Sequence, residues 1–169
     1  RDKAAALGAM SRALVGTAGA WFLYDVVTYG VGLFTTTIFP AGVGLASART
    51  VLLINLITLP GYALAVTLSS RVCLRQLQLV GLCGMSLLFL LLGALYEDRL
   101  VGARWCLCLV IFSLQRCLDA MGPGLATFAI PGQIYPTRVR ASAHGLSAAS
   151  GKLGAVAGTV VFPQLLAAA

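Results

Sequence analysis

Long apolar runs alternate with short polar connections from end to end of this chain. Five of the runs, at about 13–39, 51–69, 79–96, 105–130 and 146–166, read as spans of a membrane. A helix rising about 1.5 Å per residue crosses a hydrocarbon core of about 30 Å over such lengths. Pro40-Ala41-Gly42-Val43-Gly44 ends the first run, and Arg71 to Arg75 forms a tight basic turn. Tyr96 to Arg104 is a polar connection. Pro131-Gly132-Gln133-Ile134-Tyr135-Pro136 is expected to break the fourth span, since proline disfavours helix on both its sides. The predicted fold is all-α, a polytopic bundle of transmembrane helices.

Composition agrees with that class. The chain has 169 residues, 59% of them hydrophobic and only 10% charged, with a mean hydropathy of +0.93. An ordinary soluble domain carries about 25% charged residues. The net charge of +7 therefore reads as topology and not as a nucleic-acid surface. Arg1, Lys3, Arg12, Arg71, Arg75, Arg138 and Arg140 fall on one side of the spans, against Arg49, Arg99 and Arg104 on the other. Cytosolic connections carry the excess of Lys and Arg, so the first side is expected to face the cytosol, with the first residues inside and the last outside. Glu97 and Asp98, in the outer connection, weigh little. With no initiator Met, no signal peptide and an odd number of spans, a piece of a longer protein is expected.

Two charges stand out inside the spans. Asp25 is the only charge in the first run, and a charge near a bilayer midplane costs roughly 2.5–3.5 kcal/mol or more. Trp21, Asp25 and Tyr29 recur every fourth residue and so share one helix face, which suggests a site for a polar solute or a proton. Lys152 lies in the last run among Ser147, Ser150, Gly151, Gly154 and Gly158. Ser150, Gly154 and Gly158 form a small-residue face that permits close helix approach, for packing or for sliding, and Lys152 reads as interrupting it. Like Asp25, Lys152 needs a partner or an aqueous cavity.

Other candidates have plainer readings. Arg116 and Asp119, three residues apart, can pair along one helix. His144 reads as a solvated loop or helix-cap residue ahead of a proton relay. Gln115, Thr127 and Gln133 are hydrogen-bonding candidates within the bundle, and Tyr62 and Trp105 packing or interfacial residues. Cys73, Cys83, Cys106, Cys108 and Cys117 have no metal-type spacing and read as small apolar fillers. With no paired acids, no Ser–His arrangement and no metal-ligand set, an enzyme is the least expected class, and no cofactor or metal is expected.

Several of these residues also carry a resemblance. The segment from Gly16 through Trp21-Phe22-Leu23-Tyr24-Asp25-Val26-Val27-Thr28-Tyr29-Gly30 resembles the seventh helix of the phosphate:proton symporters of the major facilitator superfamily. Leu59-Pro60-Gly61-Tyr62 is similar to a motif of their eighth helix. Gly122-Pro123 and the stretch from Pro131 to Ala155 are similar to their tenth and eleventh helices, most specifically at His144-Gly145-Leu146-Ser147-Ala148-Ala149-Ser150-Gly151-Lys152-Leu153-Gly154. The likeness runs from about Gly16 to Phe162.

The resemblance implies that residues 1–169 form part of the C-terminal half of a twelve-helix transporter, helices seven to eleven. The first half and helix twelve would lie elsewhere in a longer protein. The implied function is proton-coupled transport of inorganic phosphate by alternating access, at a site near the midplane between two halves. Trp21 and Tyr29 would line the phosphate site, Asp25 would contact phosphate and carry the proton, and Lys152 would lie near the path. Burial favours the neutral form of a carboxyl, and a neutral carboxyl can donate to a phosphate oxygen. The implied partners are phosphate, protons, the lipid bilayer and the missing N-terminal half, without which this piece is not expected to transport. Plasma-membrane residence is expected ahead of an internal membrane.

The chain departs from the family pattern at three positions. Gly124 stands where an Asn ligand follows Gly-Pro, and Arg116 is a candidate to attract the anion in its place. Ser70 and Gln133 replace acids of the cytosolic charge latch. The cytosolic gate would then comprise Arg71, Arg75, Gln133, Arg138 and Arg140 with fewer acidic partners, a weaker inner gate. Another organic or sugar-type solute, and a non-transporting receptor on the same fold, are the alternatives. The Trp21, Asp25, Tyr29 face speaks against a sugar site; the altered Gly124 and the lost latch acids speak for these alternatives.

Overall fold

A computed structural model describes residues 2–33, 35, 45–95 and 103–168. Among them, six α-helices follow one another: α1 (Asp2–Leu33), α2 (Leu45–Ser69), α3 (Leu74–Leu95), α4 (Ala103–Met121), α5 (Pro123–Ile134) and α6 (Thr137–Ala168). Among the described residues, four helical stretches are long and apolar enough to cross a membrane: Ala48–Ser69, Leu74–Leu95, Ala103–Ile134 (α4 and α5 together) and Thr137–Leu165. The first expected span is helical from Asp2, well before residue 13, but is not among the four. Trp21, Tyr24, Asp25, Thr28 and Tyr29 dilute its apolar content. The expected turn at 40–44 lies outside the described residues, as do Arg1, Arg99, Glu97 and Asp98.

The break expected over 131–136 falls at Tyr135-Pro136, while Pro131 itself still lies inside α5. Proline without an N–H is tolerated in a membrane helix where neighbours satisfy the freed carbonyl. A further interruption lies at Gly122, whose amide donates to the Leu118 carbonyl (3.0 Å). Two other local expectations need correction. The last helix starts at Thr137, nine residues ahead of the expected 146, so His144 is a helical residue and not a loop or cap. A proline just ahead of Thr137 suits a helix start, where the fixed φ helps and the missing donor costs nothing.

The described helices form two units. One comprises α1 with residues 127–168, and its core is the seam between α1 and α6. The backbones approach closely there because α6 presents glycines. A Cβ at Gly154 would strike the carbonyl of Phe22, one at Gly158 the carbonyl of Val26, and one at Gly151 the indole of Trp21. Ser150 Oγ donates to the Ala18 carbonyl (3.1 Å). The small-residue face is thus a packing face, and van der Waals contact between close backbones is what holds membrane helices together. Lys152 does not interrupt this face: it is exposed, beside the buried glycines.

Polar groups tie the same unit at its α5 end. The Thr17 hydroxyl lies 2.7 Å from the Tyr135 hydroxyl and 2.9 Å from that of Ser147. Tyr135 and Ser147 are fully buried. Thr17 Oγ1 also donates to the Ala13 carbonyl and Ser147 Oγ to that of Ala143, so each buried hydroxyl proton has an acceptor.

The other unit runs from residue 35 to 126, with α2 and α3 both packed on α4. Gly61 sits against the Cys117 carbonyl and Gly81 against Pro123. A tight turn is present where one was expected at Arg71 to Arg75, but it spans Ser70 to Cys73 and Arg75 is already in α3; Val72 N donates to Leu68 O (2.8 Å) and Gln76 N to Cys73 O (2.9 Å). The cysteines are free; Cys108 is buried and Cys117 half-buried, while Cys73, Cys83 and Cys106 are exposed and do not fill a core.

Candidate functional site

Helical spacing puts Thr17, Trp21, Asp25 and Tyr29 on successive turns of α1. Trp21 and Asp25 are buried, Asp25 with 3% of its surface exposed, whereas Tyr29 is exposed. Lys152 comes to this face from α6. Its ammonium lies 3.7 Å from Asp25 Oδ2 and donates to the Tyr29 hydroxyl at 2.9 Å. It is also 4.8 Å from the Tyr29 ring centroid; the shorter contact makes the hydroxyl its main partner. The Lys152 side chain keeps 65% of its surface exposed.

The structure therefore brings Asp25, Tyr29 and Lys152 into one cluster, with Trp21 one turn away. The pairing follows from cost: an ionised carboxylate in an apolar surrounding needs a counter-charge, and Lys152 is the cation within reach. At 3.7 Å the contact is an ion pair and not a hydrogen bond, and Asp25 Oδ2 has no hydrogen-bond partner among the described residues. The Thr28 hydroxyl, one turn along the same helix, is likewise buried without one. An exposed ammonium shared between a carboxylate and a phenol can move toward an incoming anion.

Trp21 is fixed from three sides. Gly151 lies beneath the indole, and Phe128 and His144 pack edge-on to it, with centroids at 6.0 and 5.5 Å. The sequence reading missed Phe128 and His144 here, and also Thr17, Tyr135 and Ser147. Placing His144 before the helix start hid its position on the α6 face toward α1, and no spacing rule joins Thr17 to Tyr135.

Of the remaining candidates, Arg116, Gln115, Gly124, Arg71 and Arg75 belong to the other unit, and Gln133, Arg138 and Arg140 to the unit of this cluster. Arg116 pairs with Asp119 within α4 (Nη1 to Oδ2, 2.9 Å), the intrahelical arrangement their spacing suggested. Asp119 is buried and partly neutralises Arg116 as an anion attractor. Gln115 is buried in the same helix, with its Oε1 unpartnered among the described residues. Gly124 opens α5 and is half-buried. Of the expected gate residues, Arg71 lies in the turn between α2 and α3 and Arg75 at the start of α3, and both are exposed. Gln133, Arg138 and Arg140 lie around the turn between α5 and α6, also exposed; Arg140 Nε donates to the Tyr135 carbonyl (3.0 Å) and closes that turn. Among the described residues no group of three or more His, Cys, Asp and Glu could hold a metal ion.

Residues 9–169 match the sugar (and other) transporter family. The chain is 32% identical to a probable inorganic phosphate transporter 1-6 of Arabidopsis thaliana, over 92% of this chain and 33% of that protein. It is 35% identical to the inorganic phosphate transporter PHO84 of Saccharomyces cerevisiae, over 85% of this chain and 26% of that one. With a repressible high-affinity phosphate permease of Neurospora crassa it shares 34% identity, over 86% and 27%. The chain spans about a quarter to a third of the length of these relatives. With its apolar helices and the family match over nearly all its length, it is a multi-pass membrane protein that belongs to the sugar (and other) transporter family of the major facilitator superfamily.

Proposed function

We propose that this chain is part of the C-terminal half of a proton-coupled inorganic phosphate transporter that works by alternating access. The observation that carries the reading is the cluster of buried Asp25, Lys152 at 3.7 Å and Tyr29 at 2.9 Å from the same ammonium. An ionised Asp25 holds Lys152 and repels an anion. A protonated Asp25 releases that charge and offers a donor, so phosphate and proton bind together. Trp21 forms one wall. The similarity to proteins named as phosphate transporters supports phosphate as the substrate.

Opposite the cluster, the first half of the longer protein completes the path. The N-terminus of this piece faces the cytosol, as the distribution of Lys and Arg favours, and the plasma membrane is the proposed residence. The inner gate is formed by Arg71, Arg75, Gln133, Arg138 and Arg140, short of two acids. Uptake of labelled phosphate by the full-length protein in proteoliposomes tests the reading. Accumulation above that of protein-free vesicles, greater with acid outside than at equal pH, is expected. Folded protein that gives no accumulation contradicts it.

A further inference from the structure

The aromatic cluster around Trp21 is closed: each of its three rings touches the other two. Besides the two contacts to Trp21, the Phe128 and His144 rings lie 5.0 Å apart. Interplanar angles are 69° for Trp21–Phe128, 90° for Trp21–His144 and 81° for Phe128–His144. All three pairs are edge-to-face within the favourable range of centroid distances, about 4.5–7 Å. Gly151 lies under the indole, where a Cβ would meet Trp21 Nε1 at 2.6 Å. The indole is therefore bounded by backbone on one side and by two ring edges on others, which leaves it little rotamer freedom.

We propose that His144 is a positioning residue for Trp21, holding the indole in its phosphate-facing pose as the third ring of this cluster. The inference rests on the reading of Trp21 as a wall of the phosphate site. It assigns His144 a role through its ring and not through contact with substrate. Trp21 lies one turn from Asp25, so an indole free to swing changes the shape of the site at the carboxylate. Loss of one ring contact is expected to weaken phosphate binding while leaving turnover of bound phosphate nearly intact.

The test uses the full-length transporter in proteoliposomes, with KM and Vmax for phosphate uptake measured per folded molecule. His144→Leu fills the volume without a ring, and Phe128→Leu opens the cluster from its other side. Each is expected to raise KM about two- to tenfold with Vmax retained, the range that one edge-to-face pair supplies. His144→Phe restores a ring and is expected to restore KM. In a Trp21→Ala background, His144→Leu is expected to add nothing, because coupling requires the partner. An unchanged KM in both leucine variants, a phenylalanine variant no better than leucine, or a full additive effect without Trp21 would overturn the proposal. If Trp21→Ala itself leaves KM at the wild-type value, the reading of the site fails instead.

Discussion

Lys152 answers to two groups at once, the carboxylate of Asp25 and the hydroxyl of Tyr29. Removing either partner shifts the balance in a defined direction. Tyr29→Phe deletes the 2.9 Å bond while keeping the ring, and is expected to raise the KM for phosphate about three- to tenfold in proteoliposome uptake. Lys152→Met leaves a buried carboxylate without its counter-charge. Uptake per folded molecule should fall on the order of tenfold or more, and the double variant Asp25→Asn with Lys152→Met should be better folded than Lys152→Met alone. A Lys152→Met protein that transports normally would separate this ammonium from the path. The α1 side of this cluster was legible in the sequence, because helical spacing alone puts Trp21, Asp25 and Tyr29 on one face and Asp25 is alone in an apolar run. Lys152 was legible as a charge in need of a partner, but the sequence does not say which residue of α1 it meets across the seam.

The α1–α6 seam owes its closeness to glycine. Gly154→Ala would drive a methyl group into the Phe22 carbonyl, and overpacking of this kind costs about 1–3 kcal/mol. The thermal unfolding midpoint of detergent-solubilised full-length protein is expected to fall. Gly145→Ala is the matched control on the same helix. No neighbour lies within 4 Å of its added Cβ, and alanine favours the helix, so the midpoint should hold or rise. Equal shifts for the two would show that the seam does not depend on this approach. The small-residue face was legible at four-residue spacing, whereas its depth was not: sequence shows which side is smooth but not what rests on it. Helix boundaries were the weak point. The break expected over 131–136 is there, at Tyr135-Pro136, but α6 begins directly after it at Thr137 and not at 146. Starting the last span at 146 left His144 out of the helix and hid the ring cluster.

The chain spans about a quarter to a third of the length of these relatives, so the proposed transport belongs to the longer protein. At that level the proposed cytosolic gate carries two of the three departures from the family resemblance. Ser70 and Gln133 stand where the resemblance implies acids. Ser70→Asp with Gln133→Glu should restore partners for the exposed arginines and raise outward-facing occupancy, read by labelling of an engineered outer-side cysteine after removal of the native ones. Unchanged labelling would count against a weakened inner gate. The all-helical, membrane-crossing architecture was legible from apolar run length alone. How the spans pair was not, because lipid-facing and protein-facing apolar residues look alike in sequence. The most direct test of the account remains Asp25→Asn beside wild type, with phosphate accumulation in proteoliposomes driven by an inward proton gradient. Asparagine keeps the shape and a neutral hydrogen-bonding group but cannot bind and release a proton. The account predicts that gradient-driven accumulation is abolished in the variant; accumulation equal to wild type would contradict coupling at this carboxylate.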